Sequence, residues 1–198
     1  LCLGRLNKCN LLDEMLEICD SLHLDYMDGE FVKNTAFIIN NINNFKYEKP
    51  IHIHLMCKDP KEVASKLNNF ETISAHIETG IKFNNFLEYM ILNKFKWGVA
   101  ISPKTSLNKI FSLKYKPNRV LIMAVEPGFS GQSFLDSTIE RLRKIKQFWP
   151  DIDLVIDGGM NKYTIKKCLE HEATSFVICT DLVKSINKIE YISDLRKG

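Results

Sequence analysis

Short apolar runs recur along this chain roughly every 20–30 residues, each followed by a stretch with helical spacing, and no other feature constrains the fold as tightly. The runs are Leu1–Leu3, Leu22–Met27, Ile51–Met56, Thr72–Ile77, Trp97–Ile101, Arg119–Val125, Asp153–Asp157 and Ser175–Cys179. Between them, Ser133–Phe148 has the clearest helical period, with Phe134, Ile139, Leu142, Ile145 and Phe148 recurring along one face. Asp59 and Pro60 mark the start of another helix, continued by Lys61–Leu67. Eight such strands with intervening helices fit a closed barrel better than an open sheet. The expected fold is α/β, a (β/α)8 TIM barrel with a clipped first strand, built as one domain over residues 1–198. A length of 198 residues is short for that fold but sufficient.

Composition narrows the function classes. The formal net charge is +3 and the lysines are scattered, as in Lys94 and Lys96, Lys114 and Lys116, or Lys144 and Lys146. That reads as a solvated surface, not a nucleic-acid footprint. There is no run of about 18 apolar residues to span a membrane. The sequence at Leu1 lacks the basic region and cleavage site of a signal peptide. The six cysteines (Cys2, Cys9, Cys19, Cys57, Cys168 and Cys179) form no CxxC pair and no framework spacing. They read as reduced, mostly buried thiols, and the expected compartment is cytoplasmic.

In a barrel of this kind chemistry sits at the C-terminal ends of the strands and in the loops after them. Four polar residues fall there: His23 and Asp25 on the second run, His54 on the third and Asp157 on the seventh. Alternation puts His23, Asp25 and Met27 on one face of their strand, and His52, His54 and Met56 on one face of theirs. Two imidazoles and two carboxylates converging inside a barrel are costly to bury without a shared partner. A divalent cation is the simplest such partner, because His with Asp suits zinc, iron or manganese. Beside them lie two glycine-bearing turns, Glu126-Pro127-Gly128-Phe129-Ser130-Gly131-Gln132 and Asp157-Gly158-Gly159. Such turns let backbone N–H groups approach an anion, and the loops after strands seven and eight are where barrels commonly hold phosphate.

At these residues the chain resembles the ribulose-phosphate 3-epimerase family over nearly its whole length. The most specific stretch is His23-Leu-Asp25-Tyr-Met27-Asp28-Gly29-Glu-Phe31-Val32-Lys-Asn34. Further matches are His54-Leu55-Met56, Gly98-Val99-Ala100 with Pro103 and Thr105, Met123 through Phe134, and Asp157-Gly158-Gly159. The resemblance implies a barrel of the ribulose-phosphate-binding type. It implies that His23, Asp25, His54 and Asp157 bind one divalent metal ion (Zn2+, Fe2+, Mn2+ or Co2+), with Asp25 and Asp157 also the acid/base pair. In such a scheme one aspartate removes the C3 proton of a ketose phosphate to give a cis-enediolate, and the other returns a proton from the opposite face. A carboxylate is too weak a base for a proton beside a carbonyl unless the developing oxyanion is neutralised, which a Lewis acid does. The expected substrate contacts are His54, Met27, Met56, Met123, Gly128, Phe129, Ser130, Gly131, Gly158, Gly159, Cys179 and Thr180. The methionines would wall the intermediate with soft apolar surface.

The departures from the family pattern cluster where phosphate should bind. The family's Gly-Ser or Gly-Thr after strand eight is Cys179-Thr180 here, followed by Asp181. A lost glycine removes backbone freedom, and an inward Asp181 would set a negative charge beside the anion. Alternatively Asp181 caps the last helix and points away. His52 stands where the family has Asp, one layer below His54, either as a donor behind the metal ligand or as core filling. The family's strand-one serine is not visible. D-ribulose 5-phosphate is the default substrate and D-xylulose 5-phosphate the product, as in the pentose phosphate pathway. Allulose 6-phosphate is the near alternative. A non-catalytic sugar-phosphate binding protein on the same barrel is the reading from another class, supported by Cys179 and Asp181. The expected partner is a small-molecule sugar phosphate, with no nucleic acid and no membrane. The sequence leaves the oligomeric state open, a homo-oligomer included.

Overall fold

The structure, a computed structural model, describes residues 17–36, 39–44 and 48–197. It is built on seven parallel strands that neighbour one another in sequence order: β1 (Leu22–Asp28), β3 (Ile51–Met56), β4 (Thr72–His76), β5 (Trp97–Ile101), β6 (Arg119–Met123), β7 (Asp153–Asp157) and β8 (Ser175–Val177). A two-residue strand, β2 (Thr35–Ala36), pairs antiparallel with the end of β1, Met27 opposite Ala36. The helices are α1 (Ile39–Asn44), α2 (Pro60–Ala64), α3 (Ile81–Leu92), α4 (Asn108–Phe111), α5 (Ser137–Phe148), α6 (Lys162–Leu169), α7 (Thr180–Lys184) and α8 (Lys188–Arg196). A parallel sheet curled on itself, with helices returning between successive strands, is the (β/α)8 barrel plan. The expected first strand, Leu1–Leu3, lies outside the described residues, as do Cys2 and Cys9.

Strands β4 and β5 are buried throughout, as expected of parallel strands covered on both sides. Alternation divides their side chains between two apolar clusters. The larger packs the outer faces, including Leu22, Leu24, Ile53, Ile73, Val99, Ile122 and Ile156, against the helices through residues such as Phe83, Leu142 and Ile165. The smaller lies inside the barrel: Ala100, Leu121, Met123, Val155 and Val177. The rest of the inward face is polar apart from Met27 and Met56. At its lower end Arg119 Nε donates to Asp153 Oδ2 at 2.6 Å, and Thr174 Oγ1 donates to Asp153 Oδ1 at 2.7 Å. At its upper end stand the imidazoles and carboxylates singled out above.

Several elements end sooner than the apolar pattern suggests. β4 stops at His76, where Ile77–Thr79 turns as a 3-10 helix. β6 stops at Met123 rather than Val125, and β8 at Val177 rather than Cys179. In each case the chain leaves the ladder where the site loops begin. Apolar residues continue past the ladder because the loops are themselves packed: Val125 is buried although it lies outside β6. Helix α2 ends at Ala64 although Leu67 is buried, and α5 begins at Ser137 rather than Ser133. The Asp59 side chain accepts from Glu62 N and caps α2. Cys57 and Cys168 carry buried thiols, and burial pushes the Cys168 thiol up to about 11. No helix among the described residues is long and apolar enough to cross a membrane.

Candidate active site at the strand ends

Parallel register sets the site. Asp25 on β1 lies opposite His54 on β3, Met27 lies opposite Met56, and Met123 on β6 lies opposite Asp157 on β7. His23, Asp25, His54 and Asp157 therefore converge, each offering one potential ligand atom, and those atoms all lie within 4.8 Å of one another. His54 Nδ1 is 3.0 Å from Asp25 Oδ1 and 3.9 Å from Asp157 Oδ2. His23 Nε2 is 3.3 Å from Asp25 Oδ1 and 3.9 Å from Asp157 Oδ2. His23 Nε2 is buried and, although close to Asp25, meets no partner in hydrogen-bonding geometry. A buried ring nitrogen aimed into a pair of carboxylates without a hydrogen bond is a donor arrangement that suits a cation. The set of two imidazoles and two carboxylates fits a borderline divalent ion.

The two carboxylates are not equivalent. Burial alone would raise Asp25, but the imidazoles of His23 and His54 beside it hold its carboxyl well below the usual range. Asp157 is pushed up, by burial first and then by the charge of Asp25. The protein's own groups thus favour the ionised form more at Asp25 than at Asp157.

Above the cluster opens a cavity of about 710 Å³. Met27, Met56 and Met123 line it with Asp25 and Asp157, and so do the turn residues Gly128, Phe129, Ser130, Gly131, Gly158 and Gly159. Cys179, Thr180 and Asp181 border it from the loop after β8. His23 and His54 lie outside the lining, and His54 is fully buried. Its ring sits beside Asp25, with Nδ1 facing both carboxylates.

Two of the sequence departures acquire a structural reading. Cys179 has φ −135°, a backbone that requires no glycine. Asp181 borders the cavity, but its Oδ2 accepts a 2.6 Å hydrogen bond from the hydroxyl of buried Tyr191 on α8. That bond fixes the carboxylate toward the helix. His52 does not serve His54: its own Nδ1 is buried without a partner, and burial, helped by the nearby Arg119 charge, pushes it down to about 3. It fills the barrel beneath the site as a neutral ring.

The residue that does serve His54 is His76, at the end of β4. His54 Nε2 and His76 Nε2 are 2.9 Å apart, and His76 Nδ1 is 2.8 Å from Glu78 Oε2. Burial lowers His76, against the raising influence of Glu78. Glu78 would be raised by burial, but the hydrogen bond and charge of His76, the Thr105 side chain and the Ser102 amide bring it to about 2. Neither residue was singled out from the sequence, although His76-Ile-Glu78 ends a strand and meets the same positional test as His54. Phe31 covers this pair, its ring 4.7 Å from that of His76. The Phe31 position is set by Asp28, whose Oδ1 accepts from Glu30 N and Phe31 N while Oδ2 accepts from Lys58 N. Asn34 joins the loop after β1 to the turn after β6 by donating to Gly128 O at 2.7 Å.

Fold and cluster together define a class: (β/α)8 barrels with a His/Asp donor set at the carboxyl ends of the strands, beneath a pocket walled by methionine and glycine turns. Comparison with known proteins narrows it. A family model described as the ribulose-phosphate 3 epimerase family matches residues 5–183. The ribulose-phosphate 3-epimerase of Aquifex aeolicus is 35% identical over 168 residues, 80% of this chain and 75% of its own. That of Methanocaldococcus jannaschii is 33% identical, with 90% and 79% covered. The cytoplasmic isoform from Oryza sativa subsp. japonica is 29% identical, with 94% and 86% covered. Among solved structures, thiamine phosphate pyrophosphorylase from Pyrococcus furiosus superposes with a TM-score of 0.59 at 14% identity, covering 97% of this chain and 89% of its own. That likeness carries the fold alone. The chain belongs to the ribulose-phosphate 3-epimerase family, a family of carbohydrate epimerases.

Proposed function

We propose that this protein is a cytoplasmic, metal-dependent ketose-phosphate 3-epimerase that interconverts D-ribulose 5-phosphate and D-xylulose 5-phosphate. The observation that carries the reading is the convergence of Asp25 from β1 and Asp157 from β7 on one point at the floor of the cavity. Inversion at a carbon beside a carbonyl needs a proton acceptor on one face and a donor on the other, and the two carboxyls are set apart in the required sense. In this scheme Asp25 takes the C3 proton and Asp157 supplies one to the opposite face, the roles reversing in the return direction. Matched acid–base help of this kind is worth about 10²–10⁴-fold in rate.

His23, Asp25, His54 and Asp157 would hold the divalent ion. When bound, it supplies Lewis-acid stabilisation of the charge that develops on the carbonyl oxygen. Met27, Met56 and Met123 exclude water from the planar intermediate. The turns at 128–131 and 158–159, with Thr180, receive the phosphate through backbone N–H groups, and Tyr191 keeps the Asp181 carboxylate from opposing it.

The direct test is exchange. Protein supplied with Zn2+, Mn2+, Fe2+ or Co2+ in deuterated solvent should label C3 of ribulose 5-phosphate and accumulate xylulose 5-phosphate. No C3 exchange with any ketose phosphate under those conditions refutes the epimerase reading.

A further inference from the structure

The contacts behind His54 have a direction. Glu78 Oε1 accepts the Ser102 amide at 2.8 Å, and Glu78 Oε2 lies 2.8 Å from His76 Nδ1. An ionised carboxylate has no hydrogen to give, so the hydrogen in the second contact must belong to His76 Nδ1. A neutral imidazole has one N–H. His76 Nε2 is then a bare acceptor, and the 2.9 Å contact to His54 must be a donation from His54 Nε2. In a neutral His54 ring, which also has one N–H, that leaves Nδ1 with a bare lone pair, facing Asp25 and Asp157. The opposite polarity would point a His76 lone pair at the Glu78 carboxylate. The other donor near His76 Nδ1, Ser102 Oγ, is more distant at 3.4 Å.

A competing pull exists at the other end. Asp25 Oδ1, 3.0 Å from His54 Nδ1, would itself accept a hydrogen from that nitrogen and so close it to a cation. We propose that Glu78 and His76 are positioning residues that hold His54 in its Nε2–H tautomer, keeping Nδ1 open as a metal ligand against the pull of Asp25. The inference rests on the metal-dependent reading above and extends it to two residues that belong neither to the cavity lining nor to the donor set. Their anchorage suits the role. Glu78 is tied to the chain after β5 by Ser102, and Arg141 on α5 clamps that same segment by donating to the carbonyls of Thr105 and Ser102 at 2.7 and 3.1 Å. His76 and His54 are both fully buried, so water does not offer alternative partners. Partners of this kind typically hold ring orientation and change metal affinity about 10–100-fold when lost.

Glu78→Gln is a sharp test because the Ser102 amide dictates how the new side chain sits. The carboxamide oxygen must accept from Ser102 N, which turns the NH2 group toward His76 Nδ1 and reverses the chain of donors. His76 would then carry its hydrogen on Nε2, and His54 would be driven to carry its own on Nδ1. The measurement is long-range 15N–1H NMR of the histidine rings, with zinc titration of the metal-free protein alongside. In the wild type, His76 should be protonated on Nδ1 with Nε2 bare. In Glu78→Gln the His76 tautomer should switch and the zinc dissociation constant rise about 10–100-fold, with the melting temperature of the metal-free protein nearly unchanged. A merely structural role for Glu78 would not switch the tautomer. Wild-type His76 protonated on Nε2, or a Glu78→Gln variant with wild-type zinc affinity, overturns the proposal, and the first result needs no variant to fold. A wild type that binds no zinc refutes the metal-dependent reading instead.

Discussion

Gly159, two residues beyond Asp157, is the position where one added carbon should do most harm. Its φ is +66°, and a Cβ built there would lie 2.5 Å from the Phe134 backbone nitrogen and 2.8 Å from its Cα. Both atoms belong to the main chain of the turn after β6, so no side-chain rotation relieves the contact. The left-handed backbone costs a non-glycine residue about 1–2 kcal/mol. The forced displacement adds about 1–3 kcal/mol, as overpacking does in a well-packed interior. Gly159→Ala should therefore lose about 2–5 kcal/mol, which for a chain of this size is about 4–20 °C in Tm. Gly131 supplies the control, because its φ is +84° but a Cβ there meets nothing within 4 Å. Gly131→Ala should carry the backbone strain alone, about 1–2 kcal/mol.

The assay is thermal unfolding of both variants by circular dichroism, followed by epimerase kinetics on whatever remains folded at 25 °C. Because the Gly159 turn leaves directly from Asp157, its distortion should lower kcat. The Gly131 change, in a turn that does not carry either carboxylate, should act on KM. If the two variants lose the same stability, the close approach of Gly159 to Phe134 contributes nothing, and the packing of one site loop on the other is not what holds Asp157.

Asp25→Asn and Asp157→Asn should each abolish turnover while leaving the fold intact by circular dichroism, and near-normal turnover in either variant would refute the two-carboxylate scheme. Tyr191→Phe removes the hydrogen bond that holds Asp181 Oδ2 and should raise KM for the sugar phosphate about 3–10-fold with kcat little changed, the size of a single like-charge approach in a partly solvated site. An unchanged KM would mean that the carboxylate stays turned away without the phenol. His52 gives a pH signature. Its folded pKa of about 3 lies below the usual histidine value, so the unfolded chain binds more protons between about pH 3 and 6.5, and stability must fall as pH drops through that window. His52→Leu should flatten the fall of Tm between about pH 6.5 and 4, and a slope equal to the wild type's would place the proton uptake elsewhere.

The four donors of the cluster were legible because each announces itself within its own strand. A period of two, read on Leu22–Met27 and Ile51–Met56, puts His23 with Asp25 and His52 with His54, and the strand-end rule adds Asp157. His76 and Glu78 were not legible in the same way, because their meaning lies across strands. His54 pairs in register with Ser74, and only the stagger of β4 beside β3 brings His76, two residues further on, to the second nitrogen of His54. Sequence alternation gave His52 and His54 equal standing on one face, whereas burial and the Arg119 charge make one a neutral filler and the shared bond with His76 makes the other part of a chain. The edge strand β2 was also invisible, since two residues have no period.

The same distinction decides what the altered anion loop means. Cys179 and Asp181 were the two features that favoured a barrel that binds sugar phosphate without turning it over. Glycine is needed where φ is positive or where a Cβ would collide, and the φ of −135° at Cys179 does not meet the first condition. A carboxylate opposes an anion only when it faces it, and the one at Asp181 is occupied by Tyr191, a residue ten positions away on a different helix. Each feature looked adverse because sequence reports which groups are near a site in the chain, not which way they are turned. With a Cys179 backbone that does not call for glycine and an Asp181 carboxylate bonded to Tyr191, the features that favoured mere binding no longer do so. What is left is the pair of unequal carboxyls over a nitrogen-lined floor, an arrangement that binding alone does not require.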